Sequence, residues 1–170
     1  MGPRAADRER RRPAPPDRSE RLPWEPKPAG SFLASVRGAV PPSVWEEVRA
    51  RVVADANRRC EACHASAPLA PHAVWRYDDA RAVQALDRLV ALCPPCHRAA
   101  HLAEAVARGQ GGDAVARLAL VNGWSRAEAD RRVAEAFDRW RERSRRQWRV
   151  DLSALRDYGA EPPRELTDAG

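Results

Sequence analysis

"LCPPCHRAAH", residues 92–101, places Cys93, Cys96, His97 and His101 within ten positions, and the way those four side chains are shared among ligands decides the fold. Cys93 and Cys96 repeat a spacing already present upstream at Cys60 and Cys63, with 29 residues between the two pairs. Two such knuckles deliver four thiolates to a tetrahedral ion, and a chain modest in core-forming residues gains folding free energy from the staple. A redox CxxC, or four unrelated buried cysteines, would leave the doubled spacing to coincidence. The spacing therefore predicts structural Zn2+ at Cys60, Cys63, Cys93 and Cys96.

With the zinc shell filled by sulfur, the histidines are left over. His97 and His101 stand four apart in a helical stretch, so both imidazoles leave the same face and could hold a second divalent cation. His72, in an extended stretch upstream, is expected to lie across from that face. His64, next to Cys63, reads as a supporting or surface residue.

On the N-terminal side of the motif, Pro41 and Pro42 precede Ser43, with Glu46 three residues on, the pattern of a capping box. Val44, Val48 and Val52, with Trp45 and Val53 beside them, recur at helical spacing to about Asn57, which delivers the chain to Cys60. Residues 69–75 and 89–92 read as short strands, and the polar, alanine-rich stretch 77–88 between them as a connection with one or two helical turns. The order is knuckle, strand, connection, strand, knuckle, helix.

On the C-terminal side, Gln110, Gly111 and Gly112 make a break. A helix from Ala114 to Val121 then stops at Asn122 and Gly123, and Ser125 with Glu128 opens a long helix expected to reach about Arg149. Val133, Phe137, Trp140 and Trp148 lie near one of its faces, with a gap at Ser144. The expected organisation is an unstructured Pro/Arg-rich tail over 1–30, a zinc-stapled core over 41–105, a helical extension over 113–158 and a second tail over 159–170. The fold class is α+β.

The net charge is +6, and Lys27 is the only lysine among 30 basic residues. Guanidinium groups fork onto phosphate, although alanine and arginine richness also follows from base composition. Position matters more than total: eight arginines against Glu135, Asp138 and Glu142 between Arg131 and Arg149 make a local basic face. Arg139, Arg143 and Arg146 are its candidate phosphate contacts, with internal ion pairing as the competing reading, and Arg10, Arg11 and Arg12 form a smaller patch. No apolar run approaches the ~20 residues of a membrane span, and the first residues lack the apolar centre of a signal peptide. A cytoplasmic protein without a membrane partner is expected.

The cysteine pairs, a histidine before a strand, and Leu92-Cys93-x2-Cys96-His97-x3-His101 together resemble the zinc-stapled branch of the HNH endonucleases, the ββα-metal nucleases, over roughly residues 45–103. The resemblance implies that His72 is the general base, that His97 and His101 hold a catalytic cation (Mg2+, Mn2+, Ni2+ or Zn2+), and that the cysteines are structural. It implies metal-assisted hydrolysis of nucleic-acid phosphodiesters, with DNA as the first expectation and RNA as the alternative. Two positions depart from the family pattern. Pro71 stands where an acidic or histidine ligand precedes the base, and Arg88 where an asparagine orients it. Asp78 or Asp79 could supply an oxygen ligand instead, and Arg88 could bind phosphate. A degenerate member that binds nucleic acid without cutting is thus the competing expectation. A third is a module for a protein partner, suggested by six tryptophans at positions 24, 45, 75, 124, 140 and 148.

Overall fold

The computed structural model describes residues 19–31 and 35–163. The patch at Arg10–Arg12 lies outside these residues. The fold is α+β: a three-stranded sheet with helices packed on it and running on from it.

Helix α1 covers Pro42–Asp55 and buries Trp45, Val48 and Val52, the face read from the valine spacing. Its N-cap is Pro41 and no side chain caps it, so the Ser43–Glu46 box does not form. Ser43 already lies inside the first turn, and proline fills the early position where a missing N–H costs nothing. Asn57 and Arg58 both take positive φ, turning the chain out of the helix into the first knuckle.

Strands β1 (Ala70–Asp78) and β2 (Val83–Leu92) form an antiparallel hairpin. The helical turn expected within 77–88 is absent, because β2 begins six residues earlier than the sequence suggested. Nearly every β2 residue is buried, so the strand shows no alternation by which to recognise it. The register shifts once, opposite Val74 and Trp75, leaving Asp87 as the extra residue of a bulge between the pairs Val74–Arg88 and Trp75–Leu86. Asp87 is buried there and binds the side chains of Arg76 and Arg88.

Helices α2 (Pro94–Ala100) and α3 (Leu102–Ala107) follow β2 and are divided at His101, whose backbone leaves the helical region. Helix α4 (Gly111–Asn122) ends at Gly123 with φ 72°, the left-handed stop read from the Asn-Gly pair. Ser125 caps α5 (Arg126–Arg143) by accepting from the Glu128 backbone N–H.

Helix α5 ends at Arg143, earlier than expected, and residues Arg149–Asp151 form β3, parallel to β2. The gap in the apolar stripe at Ser144 marks this end. Past it, Trp148 is buried, donates its indole N–H to the Arg143 carbonyl and cannot also continue the helix face. A 3-10 turn over Ser153–Tyr158 closes the core, where Tyr158 hydrogen-bonds the backbone of Leu89.

Residues 19–30 fall within the stretch read as an unstructured tail, yet together with Ser31 they are packed. Leu22 is 0 % exposed and its backbone N–H bonds Asn122, Trp140 donates to the Lys27 carbonyl, and Ser31 bridges to Trp148. Pro23, Pro26 and Pro28 fix φ at three positions of this strap, which leaves it less ordering entropy to lose on docking. At the other end Ala160 is buried as well. Among the described residues no helix is long and apolar enough to cross a membrane.

Candidate metal centres

Cys60 and Cys63 sit on the turn between α1 and β1, and Cys93 and Cys96 on the turn that starts α2. The His64 N–H bonds the Cys60 carbonyl at 2.7 Å, and the Cys60 N–H bonds the Ala65 carbonyl at 3.0 Å, which curls the first knuckle. Glu61 ties it to β2 twice, through its N–H to the Ala91 carbonyl and through its carboxylate to the Ala91 N–H at 2.5 Å. The four Sγ atoms lie within 4.8 Å of one another and form no disulfide, with Cys63 and Cys93 sulfurs 3.6 Å apart. Zinc–sulfur bonds of about 2.3 Å at tetrahedral angles put neighbouring sulfurs about 3.8 Å apart. The donor set therefore fits a metal ion such as zinc.

Arg117 of α4 donates to Cys96 Sγ at 3.2 Å, setting a fixed positive charge against the thiolate cluster. Burial pushes the Cys96 and Cys93 thiols up, while for Cys63 the hydrogen bonds outweigh burial and bring it down to about 7. Nothing in the spacing of α4 pointed to Arg117.

The second group gathers the histidines that the first leaves over. His72 from β1, His97 from α2 and His101 from the α2–α3 junction each offer a ring nitrogen within 4.8 Å of the others. His72 Nδ1 lies 3.3 Å from His101 Nε2, which lies 3.3 Å from His97 Nε2. All three rings meet edge to face, at 83° to 85°. Burial first, then the neighbouring imidazoles, holds His72 neutral down to about 3, and burial lowers His97 and His101 too. His101 Nδ1 faces the Glu104 carboxylate at 3.8 Å. His64 stays exposed on its turn, apart from this group.

The oxygen ligands considered for this group point elsewhere. Asp78 caps the hairpin turn at Arg81, and Asp79 is held by Arg143 in two bonds of 2.8 Å. Among the described residues the cluster is nitrogen only.

A cavity of about 970 Å³ opens beside the histidines, walled by β1, α3, the edge of α1 and the strap. Lys27 lines it and lies close enough to His101 and Glu104 to influence both. Its signal in the sequence was there: the single lysine of an arginine-rich chain, set between Pro26 and Pro28.

The four arginines singled out for phosphate all have intramolecular partners. Arg88 binds Asp87 at 2.7 Å, Arg139 lies 3.5 Å from Glu25, and Arg143 is clamped by Glu25 and Asp79 over the Tyr77 ring. Arg146 donates to the Asp79 carbonyl and covers Trp148. The tryptophans are likewise engaged: Trp45 and Trp148 are buried and the other four half-buried. No family model, curated protein or solved structure matches the chain.

Proposed function

We propose that the chain is a metal-dependent endonuclease of HNH type, hydrolysing nucleic-acid phosphodiesters beside a structural four-cysteine zinc. The observation that carries the reading is the convergence of His72, His97 and His101 at one wall of an open cavity, presented by a hairpin and the helix after it. A divalent cation held there would polarise a phosphoryl oxygen and supply a nucleophile at neutral pH. The chain's part is to hold neutral imidazoles at the wall of the cavity, which the Lys27 ammonium also lines. Hydrolysis adds the oxygen of water to phosphorus and breaks one P–O bond. The leaving oxygen takes up a proton, which gives a hydroxyl end and a phosphate monoester.

A second reading is binding of nucleic acid or a protein partner without cleavage, and the charge pattern favours the protein partner. The cavity lining has as many carboxylates as cationic side chains, and the arginine helix is laced with ion pairs. A plasmid-nicking and oligonucleotide-cleavage assay with Mg2+, Mn2+, Ni2+ or Zn2+ separates the two readings. Cleavage that His97→Ala reduces by 100-fold or more is expected, since loss of one group acting in the transition state removes about 2.7 kcal/mol. If none of these metals supports cleavage, or the variant cuts as well as wild type, the nuclease reading is removed.

A further inference from the structure

We infer that His72 is a metal ligand rather than a base: with His97 and His101 it forms a three-imidazole centre that takes a transition ion such as Zn2+, Co2+ or Ni2+ and discriminates against Mg2+. The separation between nitrogens is the first argument. Zinc–nitrogen bonds of about 2.0–2.1 Å at tetrahedral angles put neighbouring ligand atoms about 3.4 Å apart. The two measured separations, His72 to His101 and His101 to His97, are both 3.3 Å. His72 Nδ1 thus stands from His101 Nε2 at the spacing of a neighbouring ligand on one ion.

Ring orientation agrees. Three imidazoles at near right angles to one another meet edge to face rather than stacking, and each brings a ring nitrogen within 4.8 Å of the others. His101 turns Nε2 toward both other histidines, while its Nδ1 lies 3.8 Å from the Glu104 carboxylate, on the outer side of the ring.

Ligand chemistry then selects the ion. Three neutral nitrogens and no carboxylate suit zinc, cobalt or nickel, whereas magnesium demands oxygen. Pro71 and Ala73 flank His72 with no donor, and Asp78 and Asp79 are engaged at the hairpin turn. Three protein ligands facing a cavity leave the fourth position for an exogenous one, with the Lys27 ammonium nearby for an anionic group. Pro71 is therefore no defect in the centre, because His72 itself has taken the ligand's place.

This assignment shares its histidines with the proposed nuclease reading but does not depend on cleavage. The test is titration of metal-free full-length protein with Zn2+ and with Co2+, read by native mass spectrometry and by the visible spectrum of the cobalt form. Wild type is expected to bind two ions per chain, the first with intense thiolate-to-cobalt bands and the second with weaker bands free of sulfur character. His72→Ala and His72→Gln are expected to keep the first ion and weaken the second by at least about 100-fold, more than the 10–100-fold seen for an outer partner. Mg2+ in large excess should not displace the second ion. Second-site affinity unchanged in both variants, or a second site that prefers Mg2+, would overturn the assignment. Retention of the first ion shows that the variants have folded. A wild type that binds both ions as described and cuts nothing upholds the three-imidazole centre and removes only the nuclease.

Discussion

Asp87 shows how one bulged residue governs its surroundings. Burial opposes its ionisation, but the hydrogen bonds from Arg76 and Arg88 outweigh burial and hold its carboxyl below the usual 3.8. A depressed carboxyl contributes stability that is present above the unfolded-state value and lost as pH falls through the folded-state value. Acid titration of stability should therefore show a component lost below about pH 3.8 that Asp87→Asn lacks. At neutral pH the same variant should cost about 3 kcal/mol, the low end for breaking a buried pair, because both arginines keep some access to water. Urea unfolding checks both. Gln84 offers the opposite case: it is 0 % exposed and, among the described residues, neither end of its amide has a hydrogen-bond partner. Gln84→Met should raise the midpoint of thermal unfolding, since an unsatisfied buried polar group costs about 1–3 kcal/mol.

At the scale of elements, an ion held by the four cysteines would join the turn after α1 to the turn before α2, and the hairpin and the histidine-bearing helix would depend on it. Cys93→Ser should lose the zinc and with it cooperative unfolding, and chelation of wild type should do the same. Circular dichroism with parallel metal analysis checks this; a Cys93→Ser protein with full zinc and an unchanged transition would rule out the four-sulfur site. The cysteine pairs, the α1 face, the Asn-Gly stop and the order of knuckles and strands were all legible in the sequence. Each rests on a local rule of spacing or turn chemistry. What was not legible depended on tertiary contact. The length of β2 was hidden because a strand covered on both faces has no period-two signal. The end of α5 was misplaced because Trp148 continues a helical stripe in sequence while it is buried below a strand in space. Residues 19–31 were hidden for another reason: their composition is that of a solvated tail, and the burial that docks them falls on Leu22 and on two prolines, Pro26 and Pro28.

At the scale of the whole molecule, the docked strap and the arginine helix neutralise each other. Glu20 pairs with Arg132, and Glu25 with Arg139 and Arg143, across more than a hundred residues of sequence. A net charge of +6 therefore overstates the positive face available to a polyanion. Glu25→Gln takes from Arg139 the carboxylate it leans on. If single-stranded or duplex nucleic acid binds this face, the variant should bind more tightly, with a log–log salt slope steeper by about 0.7–0.9 for one added phosphate contact. Unchanged affinity and slope would place binding elsewhere.

The claim on which the rest stands is that the four cysteines hold one ion in a closed sulfur shell and leave the histidines to a second. X-ray absorption at the zinc edge, on wild-type protein loaded with a single equivalent of zinc, tests it most directly. The expected result is four sulfur neighbours at about 2.3 Å and no nitrogen in the first shell. A shell mixing sulfur with imidazole nitrogen would contradict it and would make the cysteines and histidines of residues 92–101 parts of one site.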